Sequence, residues 1–134
     1  MINNLLLLVI VTLSYAGYNL FIKLSSSQNI NNTNSIAATL SLQVFALVVT
    51  SIFSVYLFSK GERIFVLPSK AYLYAIFAGI SIGFAEIGYF YLFNASNPNG
   101  PLTANTAIPV ILGGTILITM IFSFYIFRES YNYQ

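Results

Sequence analysis

The chain has no cysteine and no histidine among its 134 residues. Without cysteine, disulfides, thiol catalysis and cysteine-ligated metals are excluded. Without histidine, the commonest metal ligand and proton carrier of proteins is missing as well. We therefore expect the protein to bind no metal and no other cofactor.

Charged residues are also scarce. They make up 6% of the sequence, whereas 57% of it is hydrophobic. Soluble domains carry roughly 25% charged residues, so this composition indicates a protein that lies in a lipid bilayer. The formal net charge of +2 comes from five basic and three acidic residues, which are too few to indicate a nucleic-acid partner.

The sequence contains four apolar runs separated by short polar segments. A helix needs about 20 apolar residues to cross a hydrocarbon core of about 30 Å, and a β-barrel would instead show short alternating segments. We therefore predict an all-α polytopic membrane protein in which residues 1–134 form a single transmembrane domain. The four predicted helices run from Leu5 to Ile22, Ile36 to Phe58, Ala71 to Phe93 and Leu102 to Phe127.

The basic residues predict the orientation of the helices. No Lys or Arg precedes the first run, so we expect that run to remain as a helix and not to be a cleaved signal peptide. The connections 24–35 and 94–101 are uncharged, whereas 59–70 is basic, and short basic loops stay cytoplasmic. We therefore predict a multi-pass protein of the inner membrane with both termini inside. The predicted inner side holds Lys60, Arg63, Lys70 and Arg128, and the outer side holds Lys23.

Glu86, one of the three acidic residues, lies inside the third apolar run. It follows Ala71 by fifteen residues, which is roughly 22 Å of helix at about 1.5 Å per residue. A carboxylate at bilayer depth costs about 2.5 to 3.5 kcal/mol and usually faces a partner or a water-filled cavity. We expect Glu86 to bind a proton or a substrate, with Lys23 as its ionic partner. The alternative is a structural carboxyl group hydrogen-bonded to another helix.

The first helix carries a polar and aromatic face. Tyr15, Asn19 and Lys23 recur every four residues, and Tyr18 lies beside them, so these side chains share one side of the helix. This face is either the wall of a binding cavity or a packing surface on which Lys23 reaches the membrane interface. In the third helix, Tyr89 follows Glu86 by three residues and shares its face, so it joins the candidate site.

Small residues and a proline mark the third and fourth helices. Gly79 and Gly83 form a small-xxx-small pattern, which lets two helix backbones approach closely. In the fourth helix, Asn105, Pro109 and Gly113 are four apart. A proline inside a helix removes a hydrogen bond and kinks the helix, and broken or bent helices often line transport sites. The alternative is a kink with a structural role only; Gly113 is expected to serve helix packing.

Three segments together resemble the drug/metabolite transporter superfamily, and most closely its EamA-like members. They are SYAGYNLFIKLSS at 14–26, GYFYLFNAS at 88–96 and TANTAIPVILGGTILITMIFSFYIFRE at 103–129. In that family the fourth helix carries a central proline and ends in a glutamate, and Pro109 and Glu129 stand at the corresponding places. The resemblance implies transport of small metabolites or drugs by alternating access between inverted repeats, without enzymatic activity.

The sequence also departs from these family patterns. A typical EamA-like repeat has five helices, whereas this sequence stops just after the fourth, so it is either a truncated form or it recruits surface from another subunit. The small multidrug resistance family, a more distant likeness, has four helices per subunit, acts as a dimer, and carries a glutamate eight residues before a lysine. Tyr15 occupies that position here, which argues against carrying over that family's drug/proton mechanism.

Two functions remain open at this point. In the first, the chain is a transporter or transporter subunit for a small metabolite or drug-like solute, which works by alternating access in a dimer and is coupled to protons through Glu86. In the second, it is a non-transporting subunit that assembles with a larger membrane complex through Gly79 and Gly83. An enzyme is disfavoured, because Glu86 and Glu129 are far apart along the chain and no His, Cys or Asp completes a catalytic set.

Overall fold

The computed structural model describes residues 4–28, 32–64 and 66–128, and every regular element within these ranges is helical. The helices are α1 (Asn4–Ser27), α2 (Asn32–Ser59), α3 (Ser69–Phe93) and α4 (Ala104–Phe122), and α4 continues into a π-helical turn, Ser123–Phe127. All four helices are long and apolar enough to cross a membrane. The prediction of an all-α fold with four membrane-length helices is therefore confirmed.

The first connection is shorter than the sequence predicted. Its Ser and Asn residues indicated a loop over 24–35, but α1 continues to Ser27 and α2 begins at Asn32. A serine remains compatible with a helix when its hydroxyl bonds to a carbonyl of the preceding turn, and Ser27 Oγ donates to the Leu24 carbonyl at 2.7 Å. Ser26 is fully buried, so packing also favours the longer helix.

Helix α4 begins two residues later than predicted, at Ala104 rather than Leu102. Thr103 has an extended backbone with ψ 144°, and its carbonyl accepts a hydrogen bond from the Ala107 amide at 3.0 Å. At its other end the helix widens into the π-helical turn, and Arg128 follows with a left-handed φ of 53°. A non-glycine residue seldom adopts this conformation within a helix, so Arg128 marks the end of the helical segment.

Glycines reverse the chain in the two later connections. Gly61 has φ +82° and donates its amide to the Phe58 carbonyl at 3.0 Å. Gly100 has φ +80° and donates to the Asn97 carbonyl at 2.8 Å. Glycine adopts positive φ without a steric penalty, which explains why a glycine stands at each of these turns.

The chain divides into two compact units, Met1–Pro101 and Leu102–Gln134. In the first unit, α3 packs against both α1 and α2, whereas α1 and α2 contact each other only sparsely. The outward faces of these helices are apolar and exposed, as expected where lipid takes the place of a protein core. The buried apolar residues of the first unit are Ile22, Tyr89, Phe90 and Phe93. The second unit contains α4 and the π-helical turn.

Candidate functional site

Four side chains of α1 and α3 form a buried polar network in the first unit. Tyr18 donates its hydroxyl hydrogen to Glu86 Oε1, and Tyr89 Oη donates to Asn19 Oδ1 at 2.8 Å. The Tyr18 and Tyr89 rings stack with their centroids 6.4 Å apart and an interplanar angle of 18°. We call Tyr18, Asn19, Glu86 and Tyr89 the Glu86 network, and it contains four of the residues that the sequence singled out.

Helical spacing explains why these residues meet. Glu86, Tyr89 and Phe93 are three or four apart on α3 and share one face, and all three are buried. On α1, Asn19 and Ile22 are buried on the side that faces α3. Two neighbouring helices therefore present their polar groups to each other, because polar side chains satisfy hydrogen bonds poorly toward lipid.

One oxygen of the network has no hydrogen-bond partner. Glu86 is 2% exposed, and its Oε2 accepts no hydrogen bond from the part of the chain that the structure describes. A buried acceptor without a partner costs about 1 to 3 kcal/mol, in addition to the cost of a charged carboxylate at bilayer depth. A proton on the carboxyl group removes the cost of the charge, and a cationic donor beside it offsets the charge and pairs with Oε2.

Lys23 of α1 contacts an aromatic ring of α3. Its Nζ is 4.9 Å from the centroid of the Phe93 ring, which is within the range of a cation–π contact. The hydrogen bond that Glu86 accepts comes from Tyr18. The contacts of these two residues are therefore with Tyr18 and Phe93, and the ion pair between Lys23 and Glu86 stays a prediction.

Tyr15 borders the network from outside. Its side chain is 60% exposed, and its ring meets the Tyr18 ring edge to face, with centroids 6.2 Å apart and an interplanar angle of 80°. Tyr15 therefore supports the ring that holds Glu86 and has no hydrogen bond to Glu86 itself among the contacts of the described residues.

A second buried polar cluster, which sequence reasoning missed, joins α2 to the end of α3. Asn94 Nδ2 donates to Ser35 Oγ at 2.7 Å, and Thr39 Oγ1 donates to the Ser35 carbonyl at 2.9 Å. Asn94 Oδ1 accepts the Ser96 amide at 2.9 Å. Sequence reasoning assigned Asn94 and Ser35 to loops. The one signal for the cluster was Asn94 itself, because an Asn side chain often accepts a hydrogen bond from the backbone amide two residues later.

The glycine pattern of α3 meets another helix at one of its two positions. A Cβ atom added to Gly83 would lie 3.5 Å from Gln43 Nε2 of α2, whereas one added to Gly79 would meet no heavy atom of the described residues within 4 Å outside its own stretch of helix. Gly83 thus allows α2 and α3 to approach each other. Gly79 faces open space as far as the described residues are concerned.

The remaining candidates lie in the second unit. Pro109 is inside α4, and its spacing of four from Asn105 and from Gly113 places the three residues on one side of that helix. Outside its own stretch of helix, a Cβ atom added to Gly113 would meet no heavy atom within 4 Å in the part of the chain that the structure describes. Glu129, which the family resemblance invoked, lies outside the described residues.

The structure thus defines a class of protein: an α-helical, multi-pass membrane protein with a carboxyl group buried between two of its helices. Within residues 4–28, 32–64 and 66–128, no group of three or more acidic, His or Cys side chains could hold a metal ion. Comparisons with protein-family models, with curated proteins and with solved structures give no match. The case for a particular function therefore depends on the chemistry of the Glu86 network.

Proposed function

We propose that the chain is an integral membrane transporter, or a subunit of one, for a small metabolite or drug-like solute, coupled to protons through Glu86. The observation that carries the proposal is the buried Oε2 atom of Glu86 without a hydrogen-bond partner among the described residues. A carboxyl group that served only to join helices would gain by pairing both oxygens. Intramembrane ionisable groups typically mark ion pathways and substrate sites.

The mechanism follows from mutual exclusion at one carboxyl group. A proton or a cationic group of the solute neutralises Glu86, but the two cannot do so together, since a second positive charge would be left buried and unpaired. When a cation binds, the carboxyl proton leaves; when the cation departs, a proton returns. Alternating access of the site to the two sides of the membrane turns this exchange into transport.

The other members of the network position the carboxyl group. Tyr18 donates to Oε1 and leaves Oε2 for the exchanging charge. Asn19 holds the Tyr89 hydroxyl, and the Tyr89 ring stacks on that of Tyr18. In this proposal Tyr15 supports Tyr18 at the rim, and Lys23 contributes to the solute path.

The resemblance to EamA-like transporters supports the wider setting of the proposal. It favours the inner membrane, a homodimer or a partner subunit, and a role without catalysis. The positive-inside pattern of the connection at 59–70 favours the orientation with both termini inside.

Proton release on solute addition tests the proposal. Purified protein in weakly buffered detergent solution receives a panel of small amines, amino acids and nucleosides, and a pH dye reports released protons. We expect at least one cationic member to release protons from the wild type and none from Glu86→Gln. Glu62→Gln is the matched control, because Glu62 is exposed in the connection after α2. Release that is equal in wild type and Glu86→Gln would contradict the proposal.

A non-transporting assembly subunit is the second candidate, and the open Gly79 position favours it. Apart from its own stretch of helix, no heavy atom of the described residues lies within 4 Å of a Cβ atom at that glycine, so a helix of another protein could approach α3 there. In this case Gly79→Leu would reduce the size of the assembled particle in detergent. Glu86→Gln would leave that size unchanged.

A further inference from the structure

A groove opens between α1 and α2 beside the Glu86 network. Its volume is about 730 Å³, and it exists because these two helices contact each other sparsely while both pack on α3. Ile22 and Phe90, which are 1% and 2% exposed, lie at its buried base. Phe21 and Phe45, which are 72% and 69% exposed, lie at its rim. The groove is therefore open to the surrounding hydrocarbon.

Tyr18 separates the groove from the buried carboxyl group. Its side chain lines the groove, and its hydroxyl is bonded to Glu86 Oε1. Glu86 itself does not line the groove. A ligand in the groove therefore meets the Tyr18 ring first, and rotation of that one side chain would connect the ligand to Glu86.

The groove and the carboxyl group have complementary chemistry. No charged residue lines the groove, so its wall suits an apolar body, while the nearest negative group is the carboxyl behind Tyr18. A ligand that fits both parts carries an apolar body and one positive charge.

We propose that this groove is the bilayer-side entrance to Glu86, that Tyr18 is its gate, and that it admits amines with an apolar body and at least one ammonium N–H. The inference rests on the proposed function and adds the entry route and the substrate class. Binding exchanges one charge for another: the ammonium cation enters, the carboxyl O–H bond breaks, and the proton leaves to solvent.

The N–H requirement follows from the acceptors that the ligand would meet. Glu86 Oε2 has no donor among the described residues, and the Tyr18 hydroxyl oxygen keeps lone pairs after it donates to Oε1. A protonated primary amine supplies donors to these oxygens. A quaternary ammonium has the same charge but no N–H donor, so it would leave these buried acceptors unpaired. A site built to hydrogen-bond its ligand rejects an analogue without the bonding group most strongly.

Three probe cations separate these requirements in the wild-type protein. Phenylethylamine has both the apolar body and the N–H groups, its trimethylammonium analogue lacks the N–H groups, and ethanolamine lacks the apolar body. We expect phenylethylamine to release protons at a concentration about tenfold or more below that of either other probe. Equal potency of phenylethylamine and its trimethylammonium analogue would overturn the inference while leaving Glu86-dependent release, and so the proposed function, intact.

A pair of variants tests the route. Ala46 lines the groove, and Ala37 does not. The two are matched otherwise, because both are exposed alanines of α2. The Ala46 carbonyl accepts a hydrogen bond from the Thr50 hydroxyl, and the Ala37 carbonyl accepts one from the Ser41 hydroxyl. We expect Ala46→Phe to raise the phenylethylamine concentration needed for proton release about tenfold, and Ala37→Phe to leave that concentration unchanged. Equal effects of the two variants would overturn the route.

The probe series uses wild-type protein, so a variant that fails to fold does not remove the test. Absence of Glu86-dependent proton release with all three probes and with the wider amine panel would remove the proposed function, and this inference with it.

Discussion

Tyr18 of α1 donates its hydroxyl hydrogen to Glu86 of α3, across a sequence separation of 68 residues. The contact ties the first helix to the third at the point where the chain buries its carboxyl group. Since one carboxyl oxygen is engaged and the other has no hydrogen-bond partner in the described ranges, the same contact stabilises the bundle and leaves a position for an exchanging charge.

The hydrogen bond between Asn19 and Tyr89 predicts coupling between these residues. Asn19→Ala and Tyr89→Phe each remove one partner of the 2.8 Å contact. Hydrogen bonds between membrane helices average about 0.6 kcal/mol and reach about 1.7 kcal/mol. We expect a double-mutant cycle, measured by reversible unfolding in mixed micelles, to give a coupling energy in this range. A second cycle, with Tyr91→Phe in place of Tyr89→Phe, is the control, and there the two losses of stability should simply add. If the losses add in both cycles, the hydrogen bond between Asn19 and Tyr89 is contradicted.

Asn94 is predicted to stabilise the protein without taking part in exchange. It is fully buried and donates to Ser35 Oγ, so Asn94→Ala leaves buried groups unpaired and should cost about 1 to 3 kcal/mol. Asn99→Ala, at an exposed position of the same connection, should change the free energy of unfolding little. Proton release by the folded Asn94→Ala protein should match the wild type. Equal stability of the two variants would show that the cluster contributes nothing.

The two glycines of α3 should respond differently to a larger side chain. Gly83→Leu introduces atoms beyond a Cβ that already lies 3.5 Å from Gln43 Nε2, so it should separate α2 from α3 and lower the unfolding temperature. Gly79→Leu enters open space and should leave the monomer as stable as the wild type. Thermal unfolding in detergent compares them, and a larger loss at Gly79 would contradict the packing described.

The orientation predicts which connections face the outside of the cell. The chain has no cysteine, so a single introduced cysteine is the only target of a maleimide. Asn99→Cys should react with a membrane-impermeant maleimide in intact cells, whereas Glu62→Cys should react only after permeabilisation, because the basic connection is expected in the cytoplasm. Labelling of Glu62→Cys but not of Asn99→Cys in intact cells would show that the chain has the opposite orientation.

The number and type of helices could be predicted from the sequence, and the contacts of Glu86 could not. Runs of apolar residues report membrane spans directly, since a bilayer leaves the backbone few other solutions. The spacing of Glu86 and Tyr89 also gave their common face correctly. Helices that are apolar on nearly all sides, however, carry little information about how they are rotated against their neighbours. Charge therefore suggested Lys23 as the partner of Glu86, and no pattern in the sequence indicated the hydrogen bond that Tyr18 donates.

The groove between α1 and α2 was also beyond sequence reasoning. It arises from the separation of two helices that both pack on a third, and no local pattern encodes that distance. Ser35 and Asn94 illustrate the same limit, because residues that look like loop formers become buried partners only when α2 and α3 meet.

The pH dependence of amine binding tests the central claim most directly. If one amine cation displaces one proton from Glu86, its apparent affinity should rise about tenfold for each unit of pH increase over the range in which Glu86 carries the proton. Equilibrium binding of radiolabelled phenylethylamine to purified protein between acidic and mildly alkaline pH measures this slope for wild type, Glu62→Gln and Glu86→Gln. We predict a slope near one for the first two proteins and binding that is weak and independent of pH for Glu86→Gln. Binding in the wild type that does not change with pH, or a slope that persists in Glu86→Gln, would contradict the account.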